Sequence, residues 1–324
     1  MLDVIGFGAL NLDLIYEVDS LGRIAAGEPE LRPGRELDTD VESFLRIREK
    51  VDRLGRFRAQ APGGSAANTI SALSRMGFQT GFIGKVGIDP EGEALLAEMK
   101  GTDLTGVVRA GRSGRCLCIL DAYRDRFMML QPNANDTFTE EEVNYGFTSA
   151  ARYVHLSSFV GEAPFAAQKA LVAQMPPTVR ITFDPGEVYA RRGLDASRPI
   201  IQKCHVIFST DKEIEELTGE GCVSGSQRLL GIGPSVIACK RGERGVSLFT
   251  RTDRIDLPPE PVEVIDNTGA GDVFNAGFLA GLLLNRPLTE CGRFGIRIAS
   301  RSLRGFGRSQ YPKKEDLAFF SSSP

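Results

Sequence analysis

No stretch of this 324-residue chain reaches the roughly 18 consecutive apolar residues that a membrane-spanning helix needs. The opening residues, MLDVIGFGALNLDL, carry acids and no basic segment of the kind that begins an export signal, so the expected location is the cytoplasm. Neither sign of charge is in excess. Lys and Arg total 39 against 42 Asp and Glu, a formal charge of -3, which gives nucleic acid or an anionic membrane no electrostatic reason to bind. Small molecules are the expected ligands. The six cysteines, Cys116, Cys118, Cys204, Cys222, Cys239 and Cys291, include no CxxC pair and no Cys/His cluster at zinc spacing. They read as reduced thiols. Cys116 and Cys118 would share one face of a strand, which leaves a soft-metal reading beside the favoured one, core packing. The segment GFGALN at Gly6 lacks the third glycine of a dinucleotide fingerprint, and no acidic residue follows a second strand. A nicotinamide-dependent oxidoreductase is therefore the weakest reading.

What is present is the balance of a packed, enzyme-sized protein, 42% hydrophobic and 25% charged, with length for one large core. Residues 1–14 read as a strand. A helix is expected from Ala66 to a stop at Gly77, then a strand over 78–87, then a helix started by Asp89 and Pro90 and stopped at Gly101. Residues 107–132 look like two or three strands joined by a turn near Arg124 and Asp125, an antiparallel insert. Strands then alternate with helices: RYVHLSSFV, PFAAQKALVAQM, VRITFDPG, a short helix SRPIIQKC, HVIFST, KEIEELTG and PSVIACKRG. Two last helices, 270–285 and 289–303, close the chain. This order predicts an α/β fold with a mostly parallel, doubly wound sheet covered by helices on both faces, and a small antiparallel sheet besides. Ligands on such sheets gather at the carboxyl ends of the strands, which brings Asp184, Ser209, Thr210 and residues 240–242 to one rim.

A charged stretch, 32–58, stands apart. Phe44, Ile47, Val51 and Leu54 recur in it at helical spacing, so an amphipathic helix of about four turns is expected, with a stripe that must pack on something.

The segment IDNTGAGDVFNAGFLAGLLLN, 265–285, carries the chemistry. An apolar helix starts there at a turn of small residues, Thr268, Gly269, Ala270 and Gly271, whose free amides and helix dipole favour an anion. Asp272 in the first turn can reach the same ligand, so a base and an anion cradle come as one unit. Taken alone, Asp272 reads equally well as a helix cap.

Company decides between these readings. NLD (11–13), PGGSAANT (62–69), GKVGIDPEGEALLAEM, PNAN (132–135), KEIEELTG, KRGERG (240–245) and DNTGAGDVF resemble, in order and spacing, the ribokinase-like PfkB family of carbohydrate and nucleoside kinases. The resemblance spans nearly the whole chain and implies one kinase domain over 1–324. It implies that Asp272 deprotonates an acceptor hydroxyl while the Gly269, Ala270 and Gly271 amides stabilise the transferred phosphoryl group. Asn11, Asp13, Gly64 and Asn68 would hold the acceptor, with Asn135 as a further contact; Asp and Asn supply the paired donors and acceptors that adjacent hydroxyls need. Lys240, Gly242 and Gly245 would form the nucleotide loop. Glu213 stands where the family's magnesium-associated acid is expected, while Thr210 replaces the family's Asn, a departure that points to a rearranged shell around Mg²⁺. Asp266 and Ser309 fall at the family's monovalent-cation positions, with K⁺ as the implied ion. Segments 14–62 and 107–133 would form a lid over the acceptor site, with 32–58 as an insertion that enlarges the lid or joins a second subunit in a homodimer.

The expected activity is thus transfer of the γ-phosphoryl group of ATP, with Mg²⁺, to a hydroxyl of a sugar or sugar derivative. A nucleoside kinase of the same fold is the first rival, with Tyr16, Phe127 and Phe159 as candidate stacking residues. A non-catalytic sugar- or nucleotide-binding relative is the second, because of Thr210.

Overall fold

The structure is a computed structural model describing residues 1–28, 31, 35–121 and 126–321. The chain starts in β1 (Leu2–Phe7), and then leaves the first sheet altogether. Residues 1–14, expected as one strand, divide at Gly8, Ala9 and Leu10, and β2 (Asn11–Val18) enters a second sheet. Both backbone groups of Leu10 are held by one side chain: its N–H donates to Asn135 Oδ1 at 2.9 Å, and its carbonyl accepts from Asn135 Nδ2 at 3.0 Å. An asparagine 125 residues away thus breaks the strand, which no local pattern announces.

A short α1 (Leu21–Ala25), β3 (Arg35–Asp38), α2 (Val41–Leu54) and β4 (Gly55–Gly63) follow. Next come α3 (Ser65–Arg75), β5 (Thr80–Val86), α4 (Pro90–Ala97), β6 (Thr102–Arg109), β7 (Gly114–Leu120), β8 (Arg126–Gln131) and a one-turn α5 (Tyr145–Thr148). The α/β alternation then runs through β9 (Ala151–Ser157), α6 (Glu162–Gln174), β10 (Arg180–Asp184), α7 (Gly186–Ile201), β11 (Cys204–Thr210), α8 (Asp211–Thr218), α9 (Cys222–Ile232) and β12 (Val236–Lys240). An antiparallel pair, β13 (Val246–Phe249) and β14 (Arg254–Leu257), precedes α10 (Ala270–Leu283) and α11 (Leu288–Ser302). The helix expected only over SRPIIQKC is the longer α7, bent at Gly193 where φ is +81°. Its buried residues, Tyr189, Ala190, Leu194, Ser197, Ile200 and Ile201, keep helical spacing through that glycine.

The large sheet has the order β14-β13-β12-β11-β10-β9-β1-β5-β6 and is parallel from β12 to β6. The small sheet has the order β3-β8-β7-β2-β4. Antiparallel pairing joins β2 to β4 and β7 to β8, and parallel pairing joins β2 to β7 and β3 to β8. Two boundaries differ from expectation. Residues 107–109 lie in β6, at the edge of the large sheet, and the small sheet takes in Asn11 and Asp13. The expected turn near Arg124 and Asp125 falls outside the described residues.

Period-two alternation divides the small sheet's faces. Asp13, Cys116, Met128 and Leu130 look into the main cleft. On the opposite face Leu14, Tyr16, Leu117, Ile119, Phe127 and Met129 form a core with Phe44, Ile47 and Val51 of α2. The apolar stripe of 32–58 is therefore used inside the chain, as a backing to the small sheet. Asp40 caps α2, accepting from the Ser43 N–H at 2.7 Å.

Candidate active site

The carboxyl ends of β1, β9, β10, β11 and β12, the cleft-side face of the small sheet, and the start of α10 enclose a cleft of about 540 Å³. Asp272 sits in the first turn of α10, behind Gly269, whose φ of +75° lets the chain turn into the helix. Its two oxygens are separately engaged: Ser65 Oγ donates to Oδ1 at 2.6 Å, and Asn68 Nδ2 donates to Oδ2 at 2.9 Å. Both donors come from the first turn of α3, so two helix starts face each other across the carboxylate. Burial pushes Asp272 up to about 6, with the Asp184 charge adding to the rise and the Ser65 and Asn68 hydrogen bonds opposing it. A carboxylate held there is ionised at neutral pH and still basic enough to accept a hydroxyl proton.

Ahead of Asp272, the hydroxyl of Thr268 is buried without a hydrogen-bond partner among the described residues. Thr268, Gly269 and Gly271 all line the cleft. A side chain at Gly271 would come 3.2 Å from Lys240 Nζ, so the glycine keeps the helix start open toward that ammonium. An orphan donor, helix-start amides and a lysine make a fitting receptacle for a phosphoryl oxygen.

The acceptor candidates gather opposite. Asn11 and Asp13 stand on β2, and Asn68 stands on α3, where Arg308 Nε donates to its Oδ1 at 3.1 Å. The positive charge of Arg308 also bears on Asp13. Burial pushes Asp13 up to about 7, Arg308 opposes, and Asp266 and Asp272 add to the rise. Gly63 and Gly64 permit this closeness. A Cβ on Gly63 would strike the Asp13 carboxylate, and Gly64, at φ +100°, presses against the Ala9 carbonyl. Asn135 lines the cleft, but its amide is occupied by the Leu10 backbone and by Asn11 Oδ1 at 2.9 Å. It acts as a brace for Asn11.

On the far side, Lys240 Nζ pairs with Asp184 Oδ2 at 2.7 Å, and Asn275 Nδ2 donates to the same oxygen at 2.7 Å. Burial disfavours both charges, yet their attraction wins, lowering Asp184 and raising Lys240. Glu213 lines the cleft with part of its carboxylate already used: Oε2 accepts from the Thr210 N–H at 2.7 Å and from Ser209 Oγ at 3.1 Å, while Thr210 Oγ1 accepts from the Glu213 N–H. This reciprocal cap is what Thr210 does in place of an asparagine. Gly242 lines the cleft, whereas Gly245 closes the turn behind it through the Arg241 N–H to Gly245 carbonyl bond. Asp266 is buried and accepts from the Thr268 and Gly307 amides; Ser309 donates to the Phe306 carbonyl from an exposed position. Potassium binding thus rests on the resemblance alone.

A family model described as "pfkB family carbohydrate kinase" matches residues 35–314. The chain belongs to that family. It is 35% identical over 251 residues to an uncharacterised sugar kinase of Archaeoglobus fulgidus, covering 75% of this chain and 99% of that one. It is 29% identical to a cytidine kinase of Thermococcus kodakarensis, over 84% of this chain and 98% of the other. The ribokinase of Arabidopsis thaliana, solved with ribose and ATP, superposes with a TM-score of 0.76 at 19% identity, over 99% of each chain. The protein is a sugar or nucleoside kinase of the pfkB family, an ATP-dependent phosphotransferase. Among the described residues no helix is long and apolar enough to cross a membrane.

Several residues of this kinase's cleft had no assigned part in the sequence reading. Ser65 lies inside the PGGSAANT signature, so its position was visible while its bond to Asp272 was not. Asp184 and Lys240 stood at the same expected rim, but the ion pair that joins them was not visible. Glu216, one turn after Glu213, lines the cleft with a buried Oε2 that has no partner among the described residues. Arg308 ends a series, Arg293, Arg297, Arg301, Arg304 and Arg308, whose spacing of three or four residues favours a solvated face and leaves open a contact with nucleotide phosphates; the structure instead buries it beside Asn68.

Proposed function

We propose that this kinase phosphorylates a hydroxyl of an uncharged sugar or sugar derivative, within one kinase domain over 1–324 whose small sheet serves as the lid. The carrying observation is the Asp272 carboxylate, pushed up to about 6 and held by Ser65 and Asn68 at the mouth of the cradle that starts α10.

Asp272 takes the proton of the acceptor hydroxyl as that oxygen attacks the γ-phosphorus, and the Gly269, Ala270 and Gly271 amides, with Thr268 Oγ1, hold the oxygens of the moving group. Asn11, Asp13 and Asn68 bind the neighbouring hydroxyls and fix which one faces Asp272. Gly64 lines the acceptor side, set there by its close approach to the Ala9 carbonyl, and Lys240 and Gly242 receive the nucleotide phosphates. Mg²⁺ neutralises charge between the phosphates when bound, and the uncommitted oxygens of Glu213 and Glu216 fit water-mediated contact with it. Closing the small sheet excludes water as a competing acceptor.

The uncharged acceptor follows from the cleft's lining. Asp13, Glu36 and Asp136 face the acceptor end, where Glu187 is paired with Arg191 and the Arg308 charge acts on Asp13, while the lysines lining the cleft are Lys212 and Lys240. A second phosphate on the acceptor would meet carboxylates. A nucleoside is the second reading, favoured by Met128, Leu130, Phe159 and Val160, an apolar wall beside Asn11 on which a base can lie.

The test is Asp272→Asn with ATP and a panel of sugars and nucleosides. Turnover should fall roughly 10²- to 10⁴-fold while acceptor binding persists; undiminished turnover would remove Asp272 as the base, and activity on nucleosides alone would select the second reading.

A further inference from the structure

We propose that Cys222 and Cys239 are an oxidation-sensing pair that closes reversibly into a disulfide on the nucleotide side of the cleft. The two residues lie 17 apart in the chain, and their Sγ atoms meet at 2.7 Å. They come from different elements: Cys222 is the first residue of α9, and Cys239 is buried in β12 between the backbones of β11 and β13. A bond between them needs a closing movement of well under an ångström from that distance to the roughly 2.05 Å of a disulfide.

The two thiols are unequal in the manner a redox pair needs. Cys222 is only half-buried and its thiol is lowered to about 7, first by the hydrogen bond from Cys239 and then by the charge of Arg241, against the opposing effect of burial. Its place at a helix start favours the same ionised form. Cys239 is raised by donating that hydrogen bond and by burial. An accessible thiolate thus stands in front of a buried thiol able to resolve whatever forms on it. The other cysteines differ. Cys116 and Cys118, 3.5 Å apart, are both buried on one strand, and Cys116 is raised well above the ordinary thiol range, first by its hydrogen bond to Cys118 and then by burial. Cys204 and Cys291 are buried, with carbonyl oxygens as their partners.

With a small-molecule disulfide as oxidant, the Cys222 thiolate attacks one of its sulfurs, forms a mixed disulfide and expels the first thiolate. That thiolate takes the Cys239 proton, and the Cys239 sulfur attacks Cys222 and expels the second. One disulfide has become two small thiols, and two protein thiols have become one disulfide. The new bond would fasten the head of α9 to β12 one residue before Lys240, whose ammonium already pairs with Asp184.

The experiment treats the folded full-length chain with oxidised glutathione, unfolds it in denaturant to alkylate the remaining free thiols, and maps the peptides by mass spectrometry, with the Cys222→Ser and Cys239→Ala variants alongside. The expected result is loss of the mass of two hydrogens, a peptide pair joined through Cys222 and Cys239, alkylation of only four of the six cysteines, and recovery of all six with dithiothreitol. Cys239→Ala should instead keep glutathione on Cys222. All six cysteines alkylated after oxidation, a lasting glutathione adduct on wild-type Cys222, or a bond through other cysteines would each overturn the proposal. The readout is a mass, so it stands apart from the phosphotransfer reading.

Discussion

Ser65 Oγ donates to Asp272 Oδ1 at 2.6 Å across 207 residues of sequence. The bond stabilises the ionised carboxylate, offsetting part of what burial does to it. Ser65→Ala should therefore raise the Asp272 pKa further. In the wild type, kcat/KM should climb with pH through a midpoint near 6 as Asp272 loses its proton. The variant's midpoint should lie higher, so that it loses more activity at pH 6 than at pH 8. A pH profile of both proteins checks this, and equal profiles would separate Ser65 from the base.

Asp13 stores an unfavourable charge. Its folded pKa, about 7, lies above the ordinary 3.8, so the native state binds more protons than the unfolded chain between those values, and stability falls as pH rises through that window. Asp13→Asn should remove this cost. We expect the variant to be more stable than wild type at pH 8 by about 1–3 kcal/mol, with the gain fading toward pH 4, while acceptor KM rises. Urea denaturation at the two pH values measures it.

Lys240 and Asp184 balance one another in a buried setting. Lys240→Met should destabilise the fold by about 3–5 kcal/mol, because it leaves the Asp184 charge without its cation, and should raise the KM for ATP. Lys240→Met with Asp184→Asn should regain much of the stability and none of the affinity. Thermal melts and ATP titrations of the single and double variants separate the two effects.

Phe44 is fully buried between α2 and the outer face of the small sheet. Phe44→Ala should cost about 3–5 kcal/mol of stability, yet leave kcat unchanged for the folded fraction, since its face of the sheet points away from the cleft. A fall in kcat without a fall in melting temperature would contradict that division of faces.

The legible parts of this fold were those written in local periodicity. The segment from Ala66 to the stop at Gly77, the Asp89 cap and the stripe of Phe44, Ile47 and Val51 all became the expected helices. The illegible parts depended on distant partners. Residues 1–14 read as one strand through their apolar positions, and only Asn135 shows why the chain turns out of the sheet at Leu10. In the cleft, Asp272 and its cradle were readable because a helix start is a local object. Arg308 was not, because its meaning lies in Asn68 Oδ1, 240 residues away. Glu213 was readable as an acid near the strand-end rim, while its partial use as a helix cap emerged only once Thr210 and Ser209 were seen beside it.

Gly63 ends β4, Gly64 is the cap of α3, and Ser65 begins that helix, so the small sheet and the holder of Asp272 share one uninterrupted piece of backbone. The same holds at β2, whose first residues, Asn11 to Asp13, belong at once to the sheet and to the cleft. For anyone wishing to exchange this small sheet for that of a relative, the natural seams are thus the wrong places to cut. A chimaera joined at residues 10 and 64 would replace Asn11 and Asp13 along with the sheet. One joined between 18 and 55 would swap only α1, β3 and α2, and would keep Asn11, Asp13 and Asp272 while exchanging a single acid of the cleft lining, Glu36.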